Sequence, residues 1–221
     1  MLYQSDKQMT LTLSKSTIES EIAQKGFSHI TNAASGNPKE IISALGDVLL
    51  QTEIKENPKS TRLLSSNQGM SFHTDHNAAK LIAWFCNSQS SSGGESLLID
   101  TRDILNKFSE YSLPHLQDIS IKTHQVFYGD KLSFPLLSVK GDTSVVYYAQ
   151  WLVNHPVCIK NQKALEKFEE EIISAQPYKI LLSEGDLLII DNHRMLHGRE
   201  PFPAHSNRWL TRYWLKSSSI N

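Results

Sequence analysis

The hydrophobic positions near the N-terminus follow a helical spacing. Residues 14–25 predict a short helix, with Ser14 or Ser16 as its N-cap and Gly26 as its stop. A second helix is expected to begin at Pro38, since proline is favoured in the first turn. The apolar residues at helical spacing on its predicted buried face are Ile41, Ile42, Leu45, Val48 and Leu49.

Further along the chain, short apolar runs replace the helical spacing. Residues 81–86 are apolar throughout, which is typical of a strand buried on both faces. The other predicted strands are 27–30, 61–64, 95–100, 119–127, 144–152, 178–182, 187–190 and 209–215. Helices are predicted at 101–108 and 161–175, the latter with a buried side formed by Leu165, Phe168, Ile172 and Ile173. The pattern indicates a mainly β fold, a sandwich or barrel with flanking helices.

Composition excludes several kinds of partner. The 221 residues contain no repeat, linker or low-complexity tract, so we expect a single domain over residues 1–221. With 22 Lys and Arg against 23 Asp and Glu, the formal net charge is −1. No large basic field is available for nucleic acid or for an anionic membrane surface. A small molecule is the expected partner, and the oligomeric state stays open.

The sequence also indicates the cellular compartment. Only two cysteines occur, both in apolar surroundings, which favours a reducing environment over a disulfide scaffold. The first residues lack the basic and apolar regions of a signal peptide, and no apolar run approaches the roughly 20 residues that cross a bilayer. We therefore expect a cytoplasmic protein.

The strongest chemical signal is His73-Thr74-Asp75. If this stretch is a strand, the His73 and Asp75 side chains point to the same face, because strands repeat every two residues. Two histidines and one carboxylate form the triad that holds non-haem Fe(II) and leaves coordination positions open. By chemistry alone, either His193 or His197 is a suitable third ligand.

Four pieces of sequence, taken in order, resemble one family. They are Phe72-His73-Thr74-Asp75, Gly93-Gly94-Glu95-Ser96, the segment from Asp191 to Arg199, and Arg208-Trp209-Leu210-Thr211-Arg212. Together they are similar to the Fe(II)- and 2-oxoglutarate-dependent dioxygenases of the taurine dioxygenase and clavaminate synthase type. The resemblance runs from about residue 62 to the C-terminus. It implies a double-stranded β-helix, or jelly roll, with flanking α-helices.

The resemblance implies a set of site residues. The metal ligands fall on His73, Asp75 and His197, which leaves His193 as a neighbour. The arginine that binds the distal carboxylate of 2-oxoglutarate falls on Arg208. The family's threonine in the Gly-Gly turn falls on Ser96, which keeps the hydroxyl and lacks the methyl.

The substrate side is predicted from weaker matches. Arg212 matches an arginine that faces the substrate's acidic group in several members, and His76 and Asn77 follow the ligands directly. Gln150 lies where related enzymes place substrate contacts. The tryptophans expected in the core are Trp84, Trp209 and Trp214.

The implied function is an oxygenase that uses Fe(II), 2-oxoglutarate and O2 to hydroxylate a small carboxylate-bearing metabolite, such as an amino acid or a natural-product intermediate. Because halogenating relatives lack the carboxylate ligand, Asp75 predicts hydroxylation or another oxidation instead of halogenation. Two other functions remain open: a jelly-roll binding protein without catalysis, and a zinc hydrolase that uses the same triad. Neither alternative accounts for both Arg208 and the Gly-Gly turn.

Overall fold

The structure, a computed structural model, describes residues 14–57, 59 and 62–217. The helices in this part of the chain are α1 (Lys15–Lys25), α2 (Pro38–Leu45), α3 (Thr101–Leu105), α4 (Leu113–Gln117) and α5 (Ile159–Ser174). The strands are β1 (Phe27–Ile30), β2 (Gly46–Lys55), β3 (Met70–His73), β4 (Leu81–Ser88), β5 (Ser96–Asp100), β6 (Ser120–Lys122), β7 (Ser133–Pro135), β8 (Leu137–Lys140), β9 (Thr143–Val146), β10 (Tyr178–Ile180), β11 (Leu187–Asp191), β12 (Met195–Arg199) and β13 (Trp209–Ser217).

Two antiparallel sheets form the centre of the fold. The larger sheet has the strand order β1-β11-β4-β13-β2, and the smaller has the order β10-β5-β12-β3. Strands that are distant in sequence are neighbours in both sheets, as in a jelly roll. Side chains of both sheets meet in one buried cluster, which includes Trp84 and Leu188 from the larger sheet and Leu98 and Met195 from the smaller. The predicted mainly β jelly roll with flanking helices is confirmed.

Helices cover the outer faces of the two sheets. Ile18 of α1 and Ile42 of α2 pack on the larger sheet. Phe168 of α5 packs with Leu196 on the outer face of the smaller sheet. The strand at 81–86 is buried on both faces as predicted, because Ala83 contacts the helices while Trp84 points between the sheets.

Local sequence explains where several elements begin and end. The Ser14 hydroxyl accepts a hydrogen bond from the backbone N–H of Thr17, so Ser14 is the N-cap of α1. Gly26 follows α1 with φ +84°, a left-handed conformation that glycine adopts without strain. Pro38 begins α2, and Asn37 caps it.

Some predicted elements are wrong. Val48 and Leu49 do not continue α2, because the chain enters β2 at Gly46 and pairs with β13. Leu63–Ser65 form a 3-10 helix instead of a strand, and Thr61 lies outside the described residues. Ile173 is 84% exposed, since it lies outside the buried side of α5. At the end of α2, strand pairing and not local propensity decides the outcome.

Further strands are shorter than predicted. The predicted strand at 119–127 is reduced to β6, and the one at 144–152 to β9 followed by the 3-10 helix Gln150–Leu152. Among the described residues, no helix is both long enough and apolar enough to span a membrane. The single-domain assignment stays a prediction.

Candidate active site

Two histidines from neighbouring strands come together between the sheets. His73 is the last residue of β3 and pairs with His197 of β12, and the two ring centroids are 4.2 Å apart. The Nδ1 atom of His73 lies 2.8 Å from the carbonyl oxygen of Ser71. A carbonyl can only accept, so Nδ1 carries the proton and Nε2 presents a lone pair to the space between the sheets.

Asp75 is placed by a loop and not by the alternation of a strand. β3 ends at His73, so Asp75 lies beyond the strand and the alternation considered for a strand does not apply to it. The backbone N–H of Asp75 donates to Oδ1 of Asn192 at 2.8 Å, and Nδ2 of Asn192 donates to the carbonyl of Ala79 at 2.8 Å. The buried amide of Asn192 therefore holds the loop that carries Asp75.

The ligand atoms of His73, Asp75 and His197 lie within 4.8 Å of one another. Oδ1 of Asp75 is 3.8 Å from Nε2 of His73 and 4.0 Å from Nε2 of His197. These distances are too long for hydrogen bonds between the three groups.

Burial keeps both imidazoles uncharged. It lowers the pKa of His73, although the charge of Asp75 acts in the opposite direction. It also lowers the pKa of His197 to about 3, and the neighbouring His73 imidazole acts in the same direction. Both rings are neutral at pH 7, which is the form that binds a metal.

Asp75 stays ionised in this buried setting. Burial by itself would raise the pKa of Asp75, but the charge of Arg212, the two histidines and the hydrogen bond from Trp214 together outweigh it, and the net shift is downward. Nη1 of Arg212 donates to Oδ2 of Asp75 at 2.8 Å, and Nε1 of Trp214 donates to the same oxygen at 2.7 Å. The other oxygen, Oδ1, remains for a metal.

The donor set fits Fe(II). Two neutral imidazole nitrogens and one carboxylate oxygen are the ligands of the facial triad found in non-haem iron oxygenases. Nδ1 of His197 is buried and has no hydrogen-bond partner in the described part of the chain. Ligand-type atoms that converge without hydrogen-bonding to one another are the arrangement expected of a metal centre.

A buried arginine lies in the same cavity as the histidines. His73, His197 and Arg208 all line this cavity. Arg208 is only 4% exposed, and among the described residues it forms no ion pair with a carboxylate. Its Nε has no partner, and its Nη2 lies 3.5 Å from the carbonyl of Gly94. Burial lowers the pKa of Arg208 to about 10, so it remains charged at pH 7.

The Gly-Gly turn makes room for Arg208. Gly94 has φ +76°, and a Cβ atom there would lie 3.0 Å from Nε of Arg208. A Cβ atom on Gly93 would lie 2.3 Å from the carbonyl oxygen of Pro201. Ser96 follows the turn and lines the cavity. A larger residue at Gly94 would therefore displace the Arg208 side chain.

The predicted substrate residues have different positions. Arg212 lines the cavity, and its buried Nε has no partner. His76 is buried, with Nε2 3.1 Å from Oδ2 of Asp130. The carbonyl of Asn77 accepts from Nε2 of His193 at 2.9 Å. Gln150 is exposed and lines a groove on the outer side of the smaller sheet, away from the cavity.

Sequence reasoning missed three residues beside the triad. Asn192 holds the Asp75 loop, Trp214 binds the Asp75 carboxylate, and the Trp84 ring lies 5.1 Å from that of His197. The assignment of Trp84 and Trp214 to the core alone is incomplete. The alternation of β13 carries a usable signal, because Trp214 is two residues from Arg212 and points to the same face.

Known proteins share both the sequence pattern and the fold. The model of the family "Taurine catabolism dioxygenase TauD, TfdA family" matches residues 19–214. The chain is 31% identical over 189 residues to 3-((Z)-2-isocyanoethenyl)-1H-indole synthase of Fischerella ambigua (strain UTEX 1903). The match covers 74% of this chain and 68% of that protein. A local match to enduracididine beta-hydroxylase of Streptomyces hygroscopicus is 44% identical over 54 residues, 23% of this chain and 16% of that protein.

Two solved structures illustrate the likeness in fold. Asparagine oxygenase, in complex with Fe(II), 2S,3S-3-hydroxyasparagine and succinate, superposes with a TM-score of 0.72 at 14% identity, over 91% of this chain and 77% of that chain. The non-heme iron oxygenase OrfP, in complex with Fe and alpha-ketoglutaric acid, gives a TM-score of 0.73 at 18% identity, over 90% of this chain and 78% of that chain.

Proposed function

The chain belongs to the taurine catabolism dioxygenase (TauD/TfdA) family and is an Fe(II)- and 2-oxoglutarate-dependent dioxygenase, and on this premise we propose which residues carry the activity. His73, Asp75 and His197 hold Fe(II). Arg208 and the Ser96 hydroxyl bind the distal carboxylate of 2-oxoglutarate. The substrate is a small carboxylate-bearing metabolite, such as an amino acid or a natural-product intermediate.

One observation carries the metal assignment. The ligand atoms of His73, Asp75 and His197 converge within 4.8 Å without a hydrogen bond between them. Two of these groups are neutral imidazoles and the third is a carboxylate whose pKa is lowered, and these are the protonation states in which the three groups bind a divalent cation.

The cosubstrate assignment rests on the charge of Arg208. A buried guanidinium without a carboxylate partner is unfavourable unless an anion binds it. Arg208 lies in the cavity that His73 and His197 also line, so a bound dicarboxylate can reach the metal while Arg208 holds its far end. Ser96, at the wall of the same cavity, offers a hydroxyl to that carboxylate.

Each residue then has a separate task in the reaction. Bound Fe(II), with 2-oxoglutarate and O2, supplies the oxidising chemistry and releases succinate and CO2. Asp75 and the two histidines bind the metal, and Arg208 orients the cosubstrate toward it. Apolar walls, including Trp84 and Leu210, keep water from the cavity.

The proposed substrate class is supported by Arg212 and by the relatives. Arg212 lines the cavity and has a buried Nε without a partner, so it can receive a second carboxylate. One relative is named a beta-hydroxylase of enduracididine, and a structural neighbour holds 3-hydroxyasparagine. His76 and Asn77 are proposed to face the substrate, whereas the outward position of Gln150 gives its proposed role no support.

The metal and cosubstrate assignments are tested by anaerobic titration with Fe(II) and then 2-oxoglutarate. We expect one Fe(II) per chain and a visible charge-transfer band when 2-oxoglutarate chelates it. Asp75→Ala should lose both signals. Retention of full Fe(II) affinity in Asp75→Ala would contradict the assignment.

A panel of amino acids and related acids under O2, scored by succinate release, then tests the reaction. Substrate-dependent succinate together with an oxygenated product is expected. A protein that binds Fe(II) and 2-oxoglutarate but oxidises no acid would support a binding role, and hydrolysis without O2 would support a hydrolase. A chlorinated product would contradict the role given to Asp75.

The Arg212 assignment needs a paired substrate test. For any acid that the enzyme accepts, Arg212→Met should raise the KM of that acid. The corresponding amide is expected to have a high KM already with the wild type, and the substitution should leave that KM unchanged. Equal effects on the acid and the amide would show that Arg212 does not bind the substrate carboxylate.

A further inference from the structure

We propose that Trp214 is a positioning residue of the metal centre: its indole N–H, together with Arg212, binds Oδ2 of Asp75, so that only Oδ1 is available to Fe(II). The inference rests on the proposed metal ligands. It concerns how the carboxylate is oriented, and not which residues bind the metal.

The two carboxylate oxygens of Asp75 face different partners. Oδ2 accepts from Nε1 of Trp214 at 2.7 Å and from Nη1 of Arg212 at 2.8 Å. Oδ1 faces Nε2 of His73 at 3.8 Å and Nε2 of His197 at 4.0 Å. One oxygen is thus bound by two donors from β13, and the other is directed at the two histidines.

The different partners of the two oxygens limit how Asp75 can bind a metal. A carboxylate that binds a metal through both oxygens takes two coordination positions. For Asp75 to do so, Oδ2 would have to weaken its bonds to Trp214 and Arg212. Hydrogen bonds to a charged group are stronger than those between neutral groups. The two donors therefore favour one-oxygen binding, which leaves a further position open for the chelating cosubstrate, the substrate or O2.

The position of Trp214 is held by its surroundings. The side chain is 6% exposed and lies in β13, two residues from Arg212 on the same face of the strand. Its ring stacks on His76 with centroids 5.7 Å apart and meets Phe127 edge to face at 6.4 Å. These contacts limit the rotation that would take the N–H away from Asp75.

A second donor also changes what Arg212 can do. Nη1 of Arg212 binds Asp75, while its buried Nε has no partner among the described residues. If an anion in the cavity draws the guanidinium away, Trp214 still holds Oδ2. Trp214 thus keeps the Asp75 carboxylate oriented whether or not Arg212 binds an anion.

Trp214→Phe removes the donor and keeps an aromatic ring. Trp209→Phe is the matched control, because Trp209 lies on the same strand, its indole N–H donates to Glu53, and it does not line the cavity. For Trp214→Phe we expect Fe(II) affinity, measured anaerobically, to fall about 10- to 100-fold, the usual effect of losing an outer hydrogen-bond partner of a ligand. The visible absorption of the Co(II)-substituted protein should also change in shape and intensity.

Trp209→Phe should keep the wild-type Co(II) spectrum and Fe(II) affinity. The inference is overturned if Trp214→Phe also matches the wild type in both measurements. If the wild-type protein binds neither Fe(II) nor Co(II), the proposed metal centre itself fails. If the wild type binds both and the two variants behave alike, only the role of Trp214 fails.

A measurement on the wild-type protein does not depend on the folding of Trp214→Phe. The chain has four tryptophans, so three single replacements, of Trp84, Trp151 and Trp209, assign the fourth indole N–H signal in an ¹⁵N NMR spectrum by elimination. We expect the Trp214 signal to lie downfield and to exchange slowly with water, before and after saturation with Zn(II). Fast exchange, or loss of the downfield shift when Zn(II) binds, would overturn the proposal.

Discussion

Two buried arginines of this protein, Arg194 and Arg208, differ in their partners. Arg194 lies in the turn between β11 and β12 and forms an ion pair with Asp100 at 2.5 Å. It also donates to the carbonyls of Ala23 at 2.9 Å and Gln24 at 3.0 Å in the last turn of α1. Arg208 is equally hidden from water, but among the described residues the one hydrogen bond of its guanidinium is the 3.5 Å contact to the carbonyl of Gly94.

The difference separates a structural charge from one that is proposed to bind a ligand. Arg194 connects α1 to the smaller sheet, and every part of its guanidinium has a partner within the chain. Arg208 keeps its charge in a cavity that two neutral histidines also line. A neutral residue at this position, or a carboxylate side chain beside it, would avoid an unpaired buried charge. An unpaired buried cation is unfavourable for folding, so its presence indicates an anionic ligand.

The largest effect is expected for Arg194→Met. The substitution leaves the Asp100 carboxylate without its buried partner and frees the carbonyls at the end of α1, so the free energy of unfolding should fall by about 3–5 kcal/mol. Urea unfolding of the ligand-free protein at pH 7 measures it. Arg102→Met, at an exposed position of α3, is the control and should change stability by no more than about 0.5 kcal/mol. A loss as small as the control's would show that Arg194 is not structural.

Arg208→Met should weaken ligand binding without lowering stability, the reverse of what is expected for Arg194→Met. Affinity for 2-oxoglutarate, measured anaerobically by calorimetry on the metal-loaded protein, should fall by about 2–5 kcal/mol, since the distal carboxylate loses its charged partner. The free energy of unfolding without ligand should stay the same or rise, because an unpaired buried charge is removed. Arg208→Lys keeps the charge and should recover part of the affinity. A strong loss of ligand-free stability in Arg208→Met would place Arg208 with Arg194 as a structural residue.

Binding of 2-oxoglutarate should give Arg208 a carboxylate partner, as Arg194 already has within the chain. At about 100 times its dissociation constant, 2-oxoglutarate should stabilise the protein by about 2.7 kcal/mol, seen as a rise in Tm. The control compound is 2-oxobutanoate, which keeps the keto acid but lacks the distal carboxylate that Arg208 would bind. Equal stabilisation by the two compounds would contradict the role given to Arg208.

The smallest effect is expected at Ser96, whose hydroxyl would assist Arg208. Ser96→Ala should weaken 2-oxoglutarate binding by about 0.5–1.5 kcal/mol, the usual contribution of one hydrogen bond. Ser96→Thr keeps the hydroxyl and adds the methyl of the family's threonine, so its affinity should equal or exceed that of the wild type. The same calorimetric titration measures both variants. If Ser96→Ala binds as tightly as Ser96→Thr, the hydroxyl does not contact the cosubstrate.

The pattern of apolar residues was enough to predict much of the framework. The cap at Ser14, the start of α2 at Pro38 and the two buried faces of β4 depend on neighbours close in sequence. The end of α2 was predicted wrongly, because pairing of β2 with β13 decides it. Motif order was also informative, since His73, His197 and Arg208 do line one cavity.

By itself, the sequence determined the fold class, the family and the residue types of the metal site. Only the tertiary structure decided which partners those residues have. Asp75 is held by Asn192 and Trp214, which are 117 and 139 positions away in the chain, and Arg194 meets an aspartate 94 positions away. Periodicity reports which side of an element is buried, but the partner of a charge depends on which distant strands are neighbours. For that reason periodicity alone could not distinguish Arg194, which is paired within the chain, from Arg208, whose guanidinium has no carboxylate partner among the described residues.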